Sequence, residues 1–157
     1  MVSRWSVSIP EVSHDGSNAG GPVPACSRFR LCSKLTKDSI DLGIVVSDGP
    51  KALAFYRDTL GFEHVADTPM AGGGTMHRLM CGTSLIKVIS GSNPAAEAAP
   101  GGIAGAFGYR YWTISVSNIA EVIEACAKGG YKVAVGVREI RPGVTIAIVE
   151  DPDGNWV

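Results

Sequence analysis

Paired metal-binding cysteines are missing from this chain. Cys26, Cys32, Cys81 and Cys126 form no C-x-x-C motif, so neither a zinc ribbon nor a thioredoxin-type redox site can be read from them. Histidine is scarce too, with only His14, His64 and His77. No apolar run approaches the roughly 18 residues that a bilayer-crossing helix needs, so no membrane partner is expected. Charge of either sign is not in excess. The 14 basic and 15 acidic side chains leave a net charge of −1, which gives no electrostatic reason to expect nucleic acid or an anionic membrane as partner. What remains is a chain of 157 residues, 45% hydrophobic and 18% charged, with the balance of a soluble globular domain. Without a secretory signal the thiols are expected to be free and the location cytoplasmic, although Cys26 and Cys32 could bridge in an oxidising compartment.

The same pattern of residue types occurs twice. Leu42, Ile44 and Val46 alternate with Asp41, Gly43 and Val45, and Trp112, Ile114 and Val116 alternate with Tyr111, Thr113 and Ser115. This period of two predicts two strands, each with one wholly apolar face and one mixed face. Ser47-Asp48 and Ser117-Asn118 follow them, with side-chain oxygens suited to capping a helix, and Pro50 fits a first turn. Leu53, Tyr56 and Leu60 in the first copy, and Ile119, Val122, Ile123 and Cys126 in the second, recur at helical spacing. Gly61 and Gly129-Gly130 end the two helices. Cys126, on such a stripe, is expected to be a small buried hydrophobe.

Taken in order, residues 1–37 are rich in Ser, Gly, Pro and Asn and lack periodicity, so they are expected to be a flexible extension. Five basic residues against Glu11 and Asp15 permit an organelle transit peptide as the alternative. The first module spans 39–89, with strands at Glu63–Asp67, Thr75–Met80 and Ser84–Ile89, the last two joined by a hairpin turn at Cys81-Gly82-Thr83. A Gly-, Ala- and Pro-rich connection covers 90–108. The second module spans 109–157, with strands at Tyr131–Val137 and Val144–Val149 and a tight turn at Asp151-Pro152-Asp153-Gly154. Asn155-Trp156-Val157 can only begin a final strand. The fold class is therefore α+β: two tandem β-α-β-β-β modules in a curled mixed sheet around a cleft, with helices outside.

The phrase VSDGPKALAFYRDTLGF, the repeat and the closing EDPDGNWV resemble the vicinal oxygen chelate superfamily of glyoxalases, epimerases, extradiol dioxygenases and bleomycin and fosfomycin resistance proteins. The resemblance covers residues 39–157 and implies ligand binding in the cleft between the modules. It also implies that pairing into homodimers is common. In metal-dependent members the cleft-side ligands are His, Gln or Glu, and the corresponding positions here are Asp41, Lys87 and Tyr111, with a fourth falling just beyond Val157. A lysine ammonium has no lone pair, and one carboxylate with a phenol is too small a donor set. No metal or other cofactor is therefore predicted in the cleft; Mn, Fe, Ni or Zn is the alternative if this register is wrong. Asp41, Lys87 and Tyr111 are the candidate catalytic residues, as proton acceptor and oxyanion holders; the alternative is a structural ion pair with a hydrogen-bonded phenol that fixes the two modules. Tyr109, Thr113 and His77 are candidate ligand-binding residues. Three functions fit: a glyoxalase-like lyase, isomerase or dioxygenase; a metal-free protein that sequesters a small molecule; and an inactive copy acting as a partner subunit.

Overall fold

Val46, the last apolar residue of the first alternating stretch, is buried, and the strand before it, β1 (Asp41–Val45), turns Leu42 and Ile44 inward and Asp41, Gly43 and Val45 outward. The computed structural model describes residues 37–91, 97, 99 and 102–157. Nearly all of the N-terminal extension, with Cys26 and Cys32, lies outside the described residues, as does part of the connection between the modules.

The first module has the expected order. β1 is followed by a helix, then β2 (Glu63–Pro69), β3 (Thr75–Cys81) and β4 (Ser84–Ser90), in a four-stranded mixed sheet ordered β1-β4-β3-β2. β1 and β4 run parallel, and the other pairs are antiparallel. The helix starts where its cap predicts: the Asp48 carboxylate accepts a hydrogen bond from the Lys51 N–H at 3.0 Å, and Pro50 sits in the first turn. Its first part, α1 (Gly49–Leu53), is α-helical, but Ala54–Thr59 widens into a π-helix, with the Leu60 N–H donating to the Phe55 carbonyl five residues back. Phe55 and Tyr56, three and four residues on from the buried Ala52, share its face of the helix and are both fully buried.

Gly49 sets how closely α1 approaches the sheet. A Cβ built there would lie 2.7 Å from Ser90 Oγ and 2.9 Å from Ser90 Cβ. Gly49→Ala is accordingly expected to push the helix off β4 and destabilise the fold by about 1–3 kcal/mol, as measured by chemical denaturation.

The second module repeats the plan less completely. α2 (Ile119–Lys128) buries Cys126 and is closed by Gly130 at φ +82°, while β5 (Val133–Arg141) and β6 (Val144–Val149) form an antiparallel pair. Two expectations are corrected. The Asn118 side chain does not cap α2; it donates to Glu121 Oε2 at 3.0 Å. The stretch from Tyr111 to Val116 forms one parallel bridge, Tyr111 to Trp156, and no longer ladder. In the first module β1 is held from Asp41 to Val45 by residues 85–89 of β4; here, among the described residues, only Trp156 stands in the equivalent place, bridging Glu150 on its other side. The result is a curled, unclosed sheet carrying few helices.

One core joins the modules. Ala52, Phe55, Tyr56, Phe62, Leu79, Ile86 and Val88 from the first meet Cys126 and Val149 from the second, with Trp112 packed against them. A polar clamp crosses the same boundary. Asp151, 4% exposed, accepts from the Tyr56 hydroxyl at 2.6 Å, the Asn155 N–H at 2.7 Å, Asn155 Nδ2 at 2.9 Å and the Asp153 N–H at 3.0 Å. Asp153 in turn accepts from the Ser47 N–H at 3.2 Å. Burial, and then the Asp151 charge, push the Tyr56 phenol far above its usual range, so it stays a donor.

Candidate functional site

Strand pairing assigns each side chain to a face. The helix-covered face holds Leu42, Ile44, Leu79, Ile86 and Val88, while the other, open face holds Asp41, Gly43, Val45, Arg78 and Lys87. Lys87 pairs with Gly43 on one side and Arg78 on the other. Its ammonium lies 3.1 Å from Asp41 Oδ2, and both side chains are one-third exposed. Lys37 also bonds Asp41. The Lys37 ammonium, and after it Lys87, hold the Asp41 carboxyl below the usual carboxylate range.

Gly43 is what keeps Lys87 accessible. A Cβ built on it would meet nothing within 4 Å, so the backbone opposite the lysine is bare and faces open space. The niche has two ammonium groups, Lys37 and Lys87, on the Asp41 carboxylate, and Arg78 is the cross-strand neighbour of Lys87 on the same face. Arg78 and Gly43 were not among the expected site residues. Arg78 could have been found by folding the Cys81–Ser84 hairpin in register, because three residues back from Cys81 faces three residues on from Ser84; Gly43 depends on the parallel pairing of β1 with β4.

Tyr111 and Thr113 lie elsewhere. They line a cavity of about 330 Å³ with Ile114, Val122, Ile146 and Ile148. Its walls include both faces of 111–116 and of β6, which makes it a gap between two chain segments and not a pocket on the open face. Among the described residues the buried Trp112 Nε1 beside it has no hydrogen-bond acceptor. Among the described residues no hydrogen bond or ion pair joins Tyr111 to Asp41 or Lys87, so the three candidate catalytic groups are only two-thirds assembled. Tyr109 is fully exposed.

His77 is on the helix-covered face, the wrong side for the cleft. It sits beside Ser90 under the start of α1, with Nε2 3.1 Å from Ser90 Oγ and Nδ1 2.7 Å from Asp67. Burial raises the Cys81 and Cys126 thiols, leaving neither as a ready nucleophile.

A β-α-β-β-β module and a less complete second copy that share one core, with the other face of the first sheet left open, define a glyoxalase-type fold. The chain belongs to the Glyoxalase/Bleomycin resistance protein/Dioxygenase superfamily, whose family profile matches residues 39–157. Its fold is similar to that of SMU.1112c, at 23% identity and a TM-score of 0.64 over 78% of this chain and 96% of that one. It is also similar to a superfamily member from Sphaerobacter thermophilus, at 26% identity, a TM-score of 0.57 and coverage of 76% and 93%. The third is TnmS3, an antibiotic binding protein from a Streptomyces species, at 20% identity, a TM-score of 0.57 and coverage of 79% and 94%. No curated protein sequence matches the chain at a significant level. Among the described residues no helix is long and apolar enough to cross a membrane.

Proposed function

We propose that this protein binds a small oxygenated organic molecule in the cleft between its modules, with Lys87 taking the place of the family's usual divalent ion. The observation that carries this reading is the bare niche over Gly43 beside the one-third exposed Lys87 side chain, with Arg78 as its cross-strand neighbour on the same face. A carboxylate, phenolate or enolate oxygen suits those donors. The donor set does not suit a metal: Asp41 is already shared by two ammonium groups, and a third positive charge beside Lys87 would be repelled.

Binding is favoured over turnover by the state of Asp41. A carboxyl held below its usual range is ionised at neutral pH but is a weak proton acceptor, and catalytic bases work best with a pKa near the operating pH. TnmS3, described as antibiotic-binding, is an example of the binding role on this fold. A second copy of the chain is the remaining partner in this proposal. Light scattering should give twice the monomer mass, and a monomer at all concentrations would remove that part.

Two substitutions test the niche in different ways. Gly43→Val fills it and leaves Lys87 in place, at a residue whose backbone is not in the left-handed region and whose surroundings are empty. Lys87→Met keeps the stem and removes the charge. Both are expected to weaken binding of aromatic carboxylates or phenolates about tenfold or more by tryptophan fluorescence. Because the ion pair is solvent-screened, Lys87→Met should change stability by less than about 1 kcal/mol. Unchanged affinity in both variants would remove the proposal.

A further inference from the structure

On the face away from this niche, His64, Asp67 and His77 converge. Asp67 Oδ1 lies 2.7 Å from His64 Nε2 and 2.7 Å from His77 Nδ1, and the three atoms all fall within 4.8 Å of one another. Regular strand geometry would not do this, since residues three apart on a strand point to opposite faces. The pairing of β2 with β3 shifts between His64 and Ala66, and the extra residue brings Asp67 round to the face of His64.

We propose that these three side chains form a site for one divalent transition ion of the zinc class, separate from the cleft. Two imidazoles and one carboxylate are the donors such ions prefer, and three protein ligands leave further coordination positions open. Zinc bonds of about 2.0–2.1 Å at tetrahedral angles place donors roughly 3.3 Å apart. The two 2.7 Å pairs need to open slightly, and the two imidazole nitrogens need to close from at most 4.8 Å. Rotation of the His64 ring on its edge strand supplies that freedom.

The surroundings support a held ligand set. His77 is only 12% exposed, and its second nitrogen meets Ser90 Oγ, which can donate or accept and so orients the ring with the first nitrogen either protonated or bound to metal. Asp67 is half exposed and gives the ion a route in from solvent. The nearby Arg57 guanidinium is engaged by another carboxylate, Asp58, at 2.6 and 2.8 Å. Lys87 lies on the opposite face of the sheet. An ion here would tie the edge strand β2 to β3 next to the start of α1.

Chelator-treated protein given one equivalent of Zn²⁺ or Ni²⁺ and passed over a sizing column should retain one ion per chain and unfold at a higher temperature. Asp67→Asn and His64→Ala, each checked for native circular dichroism, should weaken retention at least about tenfold. If His64→Ala fails to fold, His64→Gln serves in its place. Asp41→Asn, at the cleft, should retain the ion fully. Failure of the unsubstituted protein to retain either metal, retention that survives the Asp67 and His64 changes, or loss on Asp41→Asn would each overturn the assignment.

Discussion

Asp151→Ala is expected to destabilise the protein by about 3 kcal/mol, and Tyr56→Phe by about half as much, in equilibrium denaturation. The asymmetry follows from what each change leaves behind. Removing the carboxylate strands a fully buried phenol hydroxyl and takes away the acceptor of the Asp153 and Asn155 amides, so the D-P-D-G-N turn loses its organising group. Removing only the hydroxyl leaves Asp151 with three donors from its own turn. Because the Tyr56 to Asp151 bond links the first module's helix to the second module's final turn, the double variant should cost less than the two single changes combined. Neutral results in both single variants would mean that this clamp does not hold the modules together.

Phe55→Ala should cost more, about 4 kcal/mol, with a fall in melting temperature of roughly 10 °C. Phe55 has no exposed surface and meets Tyr56 and Tyr131 edge-on at centroid distances of 4.8 and 4.7 Å. Leu53 and Leu60, which the helical stripe in the sequence favours, are only partly buried and should cost clearly less. A cost at Leu53 or Leu60 equal to that at Phe55 would show that Phe55 is not the anchor of this helix.

Much of the architecture was legible because it rests on local signals that agree. The alternation in β1, the Asp48 cap, the glycine at the helix end and the hairpin near Gly82 each act within a few residues, and the repetition of the set pointed to two modules. The π-helix was not legible, since Leu53, Tyr56 and Leu60 satisfy the 3.6-residue period without Phe55. The stretch from Tyr111 to Val116 has as clear an alternation as β1, yet a ladder depends on a neighbouring strand that local pattern does not specify.

The site divides in the same way. Lys87 and Asp41 were placed together by counting from the turn and the cap, because both positions are fixed by short-range register. His77 was misplaced because β3 is apolar in both phases: Met76 and Met80 on one face look as much like core as Leu79 and Cys81 on the other. The His64, Asp67 and His77 grouping depends on a bulge at Val65, for which the sequence has no glycine or proline as a marker.

The most direct measurement is a map of backbone amide chemical shifts in chelator-treated protein during titration with an aromatic carboxylate that binds it. The account predicts shifts centred on Gly43, Arg78 and Lys87, absent from Lys87→Met and present without any added metal. Shifts that avoid those three residues, or that appear only once a divalent ion is supplied, would contradict it.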